Sequence, residues 1–168
     1  MTSSVFLHIS QFVLLVLLQV LILNHVNFMG YINPYVYILF ILLYPINNNR
    51  QLFIFISFLI GLTIDLFSDS GGIHAAACVT IAYARPIILK FAFGTSYEHQ
   101  TLKIGTSEAG QRITYFTIII ILHHIILFSL EVFNTENILL IAKKTLFSSV
   151  FTLIMCLIFT VLFSRSSK

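Results

Sequence analysis

Residues 52–93 read LFIFISFLIGLTIDLF-SDSGG-IHAAACVTIAYARPIILKFAF, and this stretch decides the fold. Two long apolar runs, 52–67 and 73–93, flank a short turn of small and polar residues. A helix of about 20 apolar residues spans the roughly 30 Å hydrocarbon core of a bilayer. Glycine permits the backbone angles that a tight turn needs. The stretch therefore predicts two membrane-crossing helices joined as a hairpin at residues 68–72.

The composition of the whole chain indicates a membrane protein. Hydrophobic residues make up 58% of the 168 residues and charged residues only 9%, and the mean hydropathy is +1.00. Soluble domains carry about 25% charged residues, so lipid must cover most of this surface. A transmembrane β-barrel would show strands of about 10 residues with alternating polarity, whereas these apolar runs are continuous. The expected fold class is all-α, a polytopic transmembrane helical bundle.

Six spans are predicted within a single integral membrane domain covering residues 1–168. They lie near residues 5–24, 28–46, 52–67, 73–93, 113–130 and 138–163. The first run has neither a basic start nor a small-residue cleavage site, which favours an uncleaved span over a signal peptide. The second run is compressed between Pro34 and Pro45. It could be a broken or re-entrant helix, which a membrane tolerates only where protein covers the freed backbone groups.

The basic residues predict the orientation of the chain. If both termini are cytoplasmic, the inner segments hold Arg50, Lys90, Lys103, Arg112, Arg165 and Lys168, with Arg85 near the same side. The outer segments then hold Asp69, Glu131 and Glu136, with Lys143 and Lys144 nearby. An excess of positive charge on the cytoplasmic side is typical of membrane proteins, so this orientation is expected. If residues 28–46 do not span, the N-terminus moves outside.

Asp65 and Arg85 lie within the predicted hairpin helices, which also contain Lys90 near the inner end. Asp65 lies roughly 20 Å along its span, near the outer end, where the cost of a carboxylate falls. It forms either a proton, ion or ligand site or a helix-end carboxylate that bonds the next turn, and the second interpretation is favoured. Arg85 lies about 10–15 Å away in depth, too far for an ion pair. Its side chain is therefore expected to extend to the cytoplasmic headgroups.

Small residues recur at every fourth position along the second half of the hairpin. They are Ser68, Gly72, Ala76, Thr80 and Ala84. This small-xxx-small pattern lets two helices approach closely in lipid. The helix that packs on it could belong to this chain or to another protein. Packing inside the bundle is favoured, because a bundle this small needs close contacts of its own.

The histidines do not show a metal-binding pattern. His123 and His124 are adjacent, so their side chains point about 100° apart on a helix and cannot both reach one metal. Hydrogen bonds between helices are the favoured interpretation. His25, Asp69 and His74 could meet at the outer face as a polar cluster, but no spacing among them is typical of a metal site. Neither a metal nor a cofactor is expected.

The sequence contains no recognised catalytic or nucleic-acid-binding pattern. Nucleophile elbow, phosphate loop and HExxH patterns are missing, and the acid and base candidates lie at different depths. No enzyme activity and no catalytic residue are therefore predicted. No basic patch with interleaved aromatic residues is present, so nucleic acid is not an expected partner. Cys78 and Cys156 lie inside apolar runs and are expected to be small buried side chains.

The residues around the hairpin turn resemble the signature of the MreD family, the rod shape-determining membrane proteins of bacteria. The family pattern is roughly G-L-x-x-D, a short turn, then G-x-x-A. It is matched at Gly61, Leu62, Asp65, Gly72 and either Ala75 or Ala76. The chain length, the scarcity of soluble loops and the Asn33-Pro34 pair are also similar to the family. The compressed second run and Lys143-Lys144 depart from its pattern.

This resemblance implies a non-catalytic scaffold of the peptidoglycan-elongation machinery, which controls cell shape from the bacterial cytoplasmic (inner) membrane. The implied partners are an MreC-like bitopic protein and the cytoskeletal, polymerase and transpeptidase proteins of elongation. The candidate packing residues are Gly61, Asp65, Gly71, Gly72, Ala76, Thr80 and Ala84, with Asp69 and His74 as an outer polar cluster.

The resemblance also leaves a second function open. MreD-like chains are thought similar in fold to the substrate-binding subunits of ECF vitamin transporters. A transporter subunit would bind a small ligand from outside, with Asp65 and His74 lining the pocket. The scaffold is favoured, because the outer segments are too short to form a lid.

Overall fold

The computed structural model of the protein describes residues 2–26, 32–46, 49–94, 103–132 and 138–165. Within these ranges the chain is helical and contains no β-strand. The helices are α1 (Thr2–Leu21), α2 (Ile38–Leu43), α3 (Arg50–Ser68), α4 (Ile73–Phe93), α5 (Ala109–Val132) and α6 (Ile138–Arg165), with single 3-10 turns at Leu23–His25 and Ile104–Thr106. The all-α prediction is confirmed. The predicted start of the second run, residues 28–31, and most of the predicted link at 131–137 lie outside the described residues.

Four helices are long and apolar enough to cross a membrane. They are Arg50–Ser68, Ile73–Phe93, Ala109–Val132 and Ile138–Leu162. These helices correspond to the last four predicted spans, and α5 begins four residues earlier than predicted. The first predicted span is the 20-residue helix α1. The transmembrane character inferred from composition is confirmed.

The second apolar run is a broken helix that passes through the bundle. Only the six residues of α2 are helical, and we call residues 32–46 the central segment. Asn33, near its start, shares a cavity with Asp69 at the turn between α3 and α4. Ile46, at its end, shares a smaller cavity with Arg50 at the opposite end of α3. The central segment therefore crosses the bundle from the turn end to the Arg50 end.

The central segment is also the core of the molecule. Residues 36–42 are each at most 5% exposed. They pack in one cluster with residues from all five long helices, including Leu15, Phe53, Ile81, Ile120 and Cys156. A proline-flanked, partly extended segment can cross the hydrocarbon region here because protein shields it from lipid on every side.

Side chains of neighbouring helices satisfy the non-helical backbone of the central segment. Gln19 of α1 donates from Nε2 to the Pro34 carbonyl at 3.1 Å and accepts at Oε1 from the Val36 N–H at 2.8 Å. The Tyr35 N–H donates to Thr152 Oγ1 of α6 at 3.0 Å. A buried backbone polar group left unpaired would cost several kcal/mol in this environment. Gln19 and Thr152 therefore replace hydrogen bonds that a continuous helix would have made itself.

Arg85 forms hydrogen bonds with the other end of the central segment. The prediction that its side chain reaches the headgroups is therefore wrong. Its guanidinium is buried, with 4% of the residue exposed, and stacks 4.8 Å above the Phe53 ring. It donates to the carbonyls of Leu42, at 3.3 Å, and Tyr44 and to the Tyr115 hydroxyl at 2.8 Å. The last carbonyls of α2 lack helical partners and carry the negative end of the helix dipole. Arg85 satisfies these groups, which counting residues along one helix cannot reveal.

Candidate functional site

Asp65 caps the N-terminus of α4 from the neighbouring helix α3. Its Oδ1 accepts from the His74 N–H at 3.0 Å and from the Ser70 hydroxyl at 2.5 Å, and its Oδ2 accepts from the Ala75 N–H at 2.8 Å. These N–H groups belong to the first turn of α4, where no helical acceptor exists. A carboxylate there also interacts favourably with the helix dipole. The interpretation of Asp65 as a helix-end carboxylate is confirmed.

Gly61 allows α3 and α4 to touch backbone to backbone one turn before Asp65. A Cβ atom on Gly61 would lie 2.6 Å from the Ala75 Cα and 2.7 Å from the His74 carbonyl oxygen. The turn itself needs glycine, because Gly71 and Gly72 have φ angles of +69° and +97°. These residues of the MreD-like signature thus build one tightly closed helical hairpin.

The small-residue stripe of α4 faces outward, so the prediction that it packs inside the bundle is wrong. Ala76 and Thr80 are exposed, and Gly72 and Ala84 are half-buried. Ser68 ends α3 and is also exposed. The face of α4 that packs inside the bundle instead carries Ala75, Ala77, Cys78, Ile81 and Ala82. The contact with α3 uses Gly61 and Ala75, which leaves the stripe available on the surface.

A buried cluster of histidine and tyrosine side chains links α4, α5, α6 and the central segment. The Tyr37 hydroxyl lies 2.8 Å from His74 Nδ1 and 2.9 Å from His123 Nε2. His124 bonds a backbone carbonyl one turn earlier through Nδ1, at 2.7 Å, and Thr152 through Nε2, at 3.3 Å. The prediction of hydrogen bonds between helices is confirmed. Tyr37 was missed, although a Tyr-x-Tyr pair inside the compressed run was a visible signal.

A cavity of about 650 Å³ opens at the turn end of the bundle, and we call it the turn-end cavity. Its polar lining comes from α1, α4 and α5, the hairpin turn and the central segment, and includes Asn24, Asn33, Tyr35, Asp69, His74 and Glu131. The structure therefore brings Asp69 and His74 to one cavity, as the predicted polar cluster requires, and His25 lines it too. Asp65 does not line it, because its oxygens are engaged by α4.

Among the described residues, no group of three or more His, Cys, Asp or Glu side chains is placed to hold a metal ion. Asp69 is exposed and His74 is buried, so the two lie at different levels of the cavity. Glu131, which the sequence analysis did not select, forms an ion pair with Lys144 at 2.7 Å. The cysteines Cys78 and Cys156 are buried and unpaired, as predicted.

Comparisons of the chain with protein-family models, curated proteins and solved structures give no match. The fold and site define the class as a polytopic helical membrane protein with a capped hairpin and a polar cavity at one end. Its function is therefore argued from its own geometry.

Proposed function

We propose that the protein is a non-catalytic membrane scaffold of the MreD type, which holds a transmembrane helix of a partner against the outward face of α4. The observation that carries the proposal is the outward stripe in which Ala76 and Thr80 are exposed and Gly72 and Ala84 are half-buried. Lipid tails are as apolar as leucine, so helices associate in a bilayer mainly through close packing over small residues. Ala84 also packs against the core of the bundle, and the exposed part of this face, Ala76 and Thr80, is left for a partner.

The construction of the hairpin supports the same proposal. Gly61 and Asp65 fix α4 against α3 through backbone contact and two hydrogen bonds, and a third hydrogen bond ties Asp65 to the turn. A docking face must be rigid to present small residues in register, because ordering a mobile face would reduce the affinity. By its resemblance to MreD, the expected partner is an MreC-like bitopic protein of the bacterial inner membrane. Cytoskeletal, polymerase and transpeptidase proteins of cell elongation would join the same assembly.

The docking face is tested by enlarging its central residues. We expect Ala76→Leu and Thr80→Leu each to reduce recovery of the MreC-like protein at least about tenfold in co-purification from membranes. The added carbons separate the two helix backbones, and a loss of about 1.4 kcal/mol corresponds to a tenfold change in affinity. Ser129→Leu is the matched control, because Ser129 is an exposed small residue on α5. If neither α4 variant weakens the wild-type complex, α4 is not the docking face.

The turn-end cavity favours a second candidate, a substrate-binding subunit of a small-molecule transporter. Its volume of about 650 Å³ lies within the range of about 300–1,000 Å³ that ligand pockets occupy. A transporter subunit would co-purify with ATPase subunits, and its gene would lie beside theirs. A scaffold of the elongation machinery would have a gene for a coiled-coil bitopic protein as its neighbour.

A further inference from the structure

We infer that the turn-end cavity binds a small organic cation that carries a hydrogen-bond acceptor at its other end. This inference goes beyond the scaffold function and does not depend on it. The proposed docking face lies on the outer surface of α4, whereas the cavity lies between the helices. Either function can therefore fail in an experiment while the other remains.

The lining of the cavity carries carboxylates. Asp69 and Glu131 line it and are exposed, and the lining contains neither lysine nor arginine among the described residues. Glu131 is paired with Lys144, whose Nζ lies 2.7 Å from Glu131 Oε1, and Lys143 is exposed next to Lys144. Asp69 forms no ion pair within the described part of the chain, so its carboxylate is the free anionic group of the lining. A concave site with this charge attracts cations.

The floor of the cavity is formed by His74, whose ring has one nitrogen free. The residue is 5% exposed and lines the cavity. Its Nδ1 is bonded to Tyr37, and its Nε2 has no hydrogen bond within the described part of the chain. This nitrogen is not among the buried unpaired atoms of the described residues, so it is accessible from the cavity and can bond a ligand there.

The hydrogen-bond chain behind His74 determines which form of the ring faces the cavity. The Nδ1 of His123 is buried and has no hydrogen-bond partner in the described residues. An orphaned buried N–H is rarer than an orphaned acceptor, so the proton of the neutral His123 ring lies on Nε2 and is donated to the Tyr37 oxygen. The Tyr37 hydroxyl, which also lies beside the Cys78 thiol, then donates to His74 Nδ1, because sulfur is the weaker acceptor of the two. His74 consequently holds its own proton on Nε2, where it is a donor for a ligand.

The two levels of the cavity together define the ligand. A neutral N–H donor on the floor binds a hydroxyl, a carbonyl or a ring nitrogen and repels a positive charge. The cationic group of the ligand therefore belongs at the rim, beside Asp69 and Glu131. The Tyr35 ring, 5.5 Å from the His74 ring, adds an aromatic wall that an organic cation can contact. A lysine or arginine entering tip first from a partner protein would place its charge against the donor, so a small molecule fits better.

The test uses choline and two matched probes. Choline has a quaternary ammonium and a hydroxyl, 3,3-dimethyl-1-butanol is its neutral isostere, and tetramethylammonium has the charge without the hydroxyl. Val20→Cys places a thiol on the cavity wall, and the two native cysteines are buried. The rate of labelling by methyl methanethiosulfonate is measured for the full chain in nanodiscs, with the protein lacking Val20→Cys as the background.

We expect choline to slow the labelling of Val20→Cys saturably. The neutral isostere should need at least about a tenfold higher concentration, because it lacks the attraction to the rim. Tetramethylammonium should be weaker than choline, because it leaves the His74 donor unpaired. Asp69→Asn combined with Glu131→Gln should remove the preference for choline over its neutral isostere, and His74→Phe should make choline no better than tetramethylammonium.

Several results would overturn the inference. The first is that choline and its neutral isostere protect the Val20→Cys thiol equally. The second is that the thiol reacts readily but choline does not protect it. The third is that the thiol does not react at all. Protection by a co-purified bitopic protein in place of choline would assign the cavity to that protein. If His74→Phe does not fold, the comparison of choline with tetramethylammonium on the protein with native His74 still tests whether the floor donates a hydrogen bond to the ligand.

Discussion

At the scale of single residues, the charges inside this bundle serve the ends of helices. Asp65 binds the first N–H groups of α4, and Arg85 binds the last carbonyls of α2. Helix ends inside a membrane have no water to satisfy their backbone groups. A buried charge placed at such an end is stabilised by hydrogen bonds and by the helix dipole together. Neither residue is therefore free for ion transfer.

The role of Asp65 predicts a specific loss of stability. We expect Asp65→Asn to lower the free energy of unfolding by about 2 kcal/mol, because the amide replaces one acceptor with a donor that faces another donor. The measurement is loss of the helical circular dichroism signal during titration with sodium dodecyl sulfate. Asp69→Asn is the matched control, because Asp69 is exposed with φ of +50°, a conformation that asparagine tolerates. Equal losses in the two variants would contradict the capping role.

At the scale of elements, the α3–α4 hairpin is the most tightly defined unit. The two helices meet backbone to backbone at Gly61 and Ala75, and their connecting turn uses two glycines with positive φ. One face of α4 therefore packs against α3, and the stripe that begins at Gly72 lies on the outer side. The spacing of small residues predicted close packing, but the residue of α4 that meets α3 is Ala75, one position before Ala76 of the stripe. Only the position of α3 distinguishes them.

The contact at Gly61 gives a prediction at this scale. We expect Gly61→Ala to destabilise the protein by about 1–3 kcal/mol, because the new methyl group meets α4 backbone atoms that cannot move without separating the helices. Thermal unfolding in detergent micelles measures this effect. Gly110→Ala, in the first turn of α5, is the control, because no atom lies within 4 Å of its added Cβ. It should be neutral or slightly stabilising, since alanine favours helix, and a similar loss in both variants would refute the close contact.

At the scale of the whole molecule, the described segments run alternately between two ends of the bundle, as the six predicted spans require. α1, α3 and α5 run toward the turn end, and the central segment and α4 run back, because the ends of the first set and the starts of the second line the turn-end cavity. α6 also starts at the turn end, because Lys144 near its start pairs with Glu131, which lines the cavity. Both ends of the described chain consequently lie at the Arg50 end. The basic residues predict that this end is cytoplasmic, and we retain that orientation as a prediction.

The six passes are tested by labelling from each side of the membrane. A membrane-impermeant maleimide applied to intact cells should label Ser70→Cys, at the turn end, and should leave Ser107→Cys unlabelled until the membrane is opened. The labels report opposite sides only if α4 crosses the bilayer, as the six-pass arrangement requires. Labelling of both thiols from the same side would disprove the six-pass arrangement.

Composition and run length were enough to establish a helical membrane bundle. The bilayer requires every span to satisfy its own backbone hydrogen bonds, and a helix does so with local bonds. Composition and run length also located the hairpin and its capping carboxylate, since Asp65 and its partners are close in sequence. Only the folded chain decided that Arg85 is buried, that the stripe faces outward and that Tyr37 joins two histidines. Arg85 and Leu42 are 43 residues apart, and Tyr37 and His123 are 86 apart. Such contacts depend on how the helices surround the central segment, and no local pattern records that arrangement.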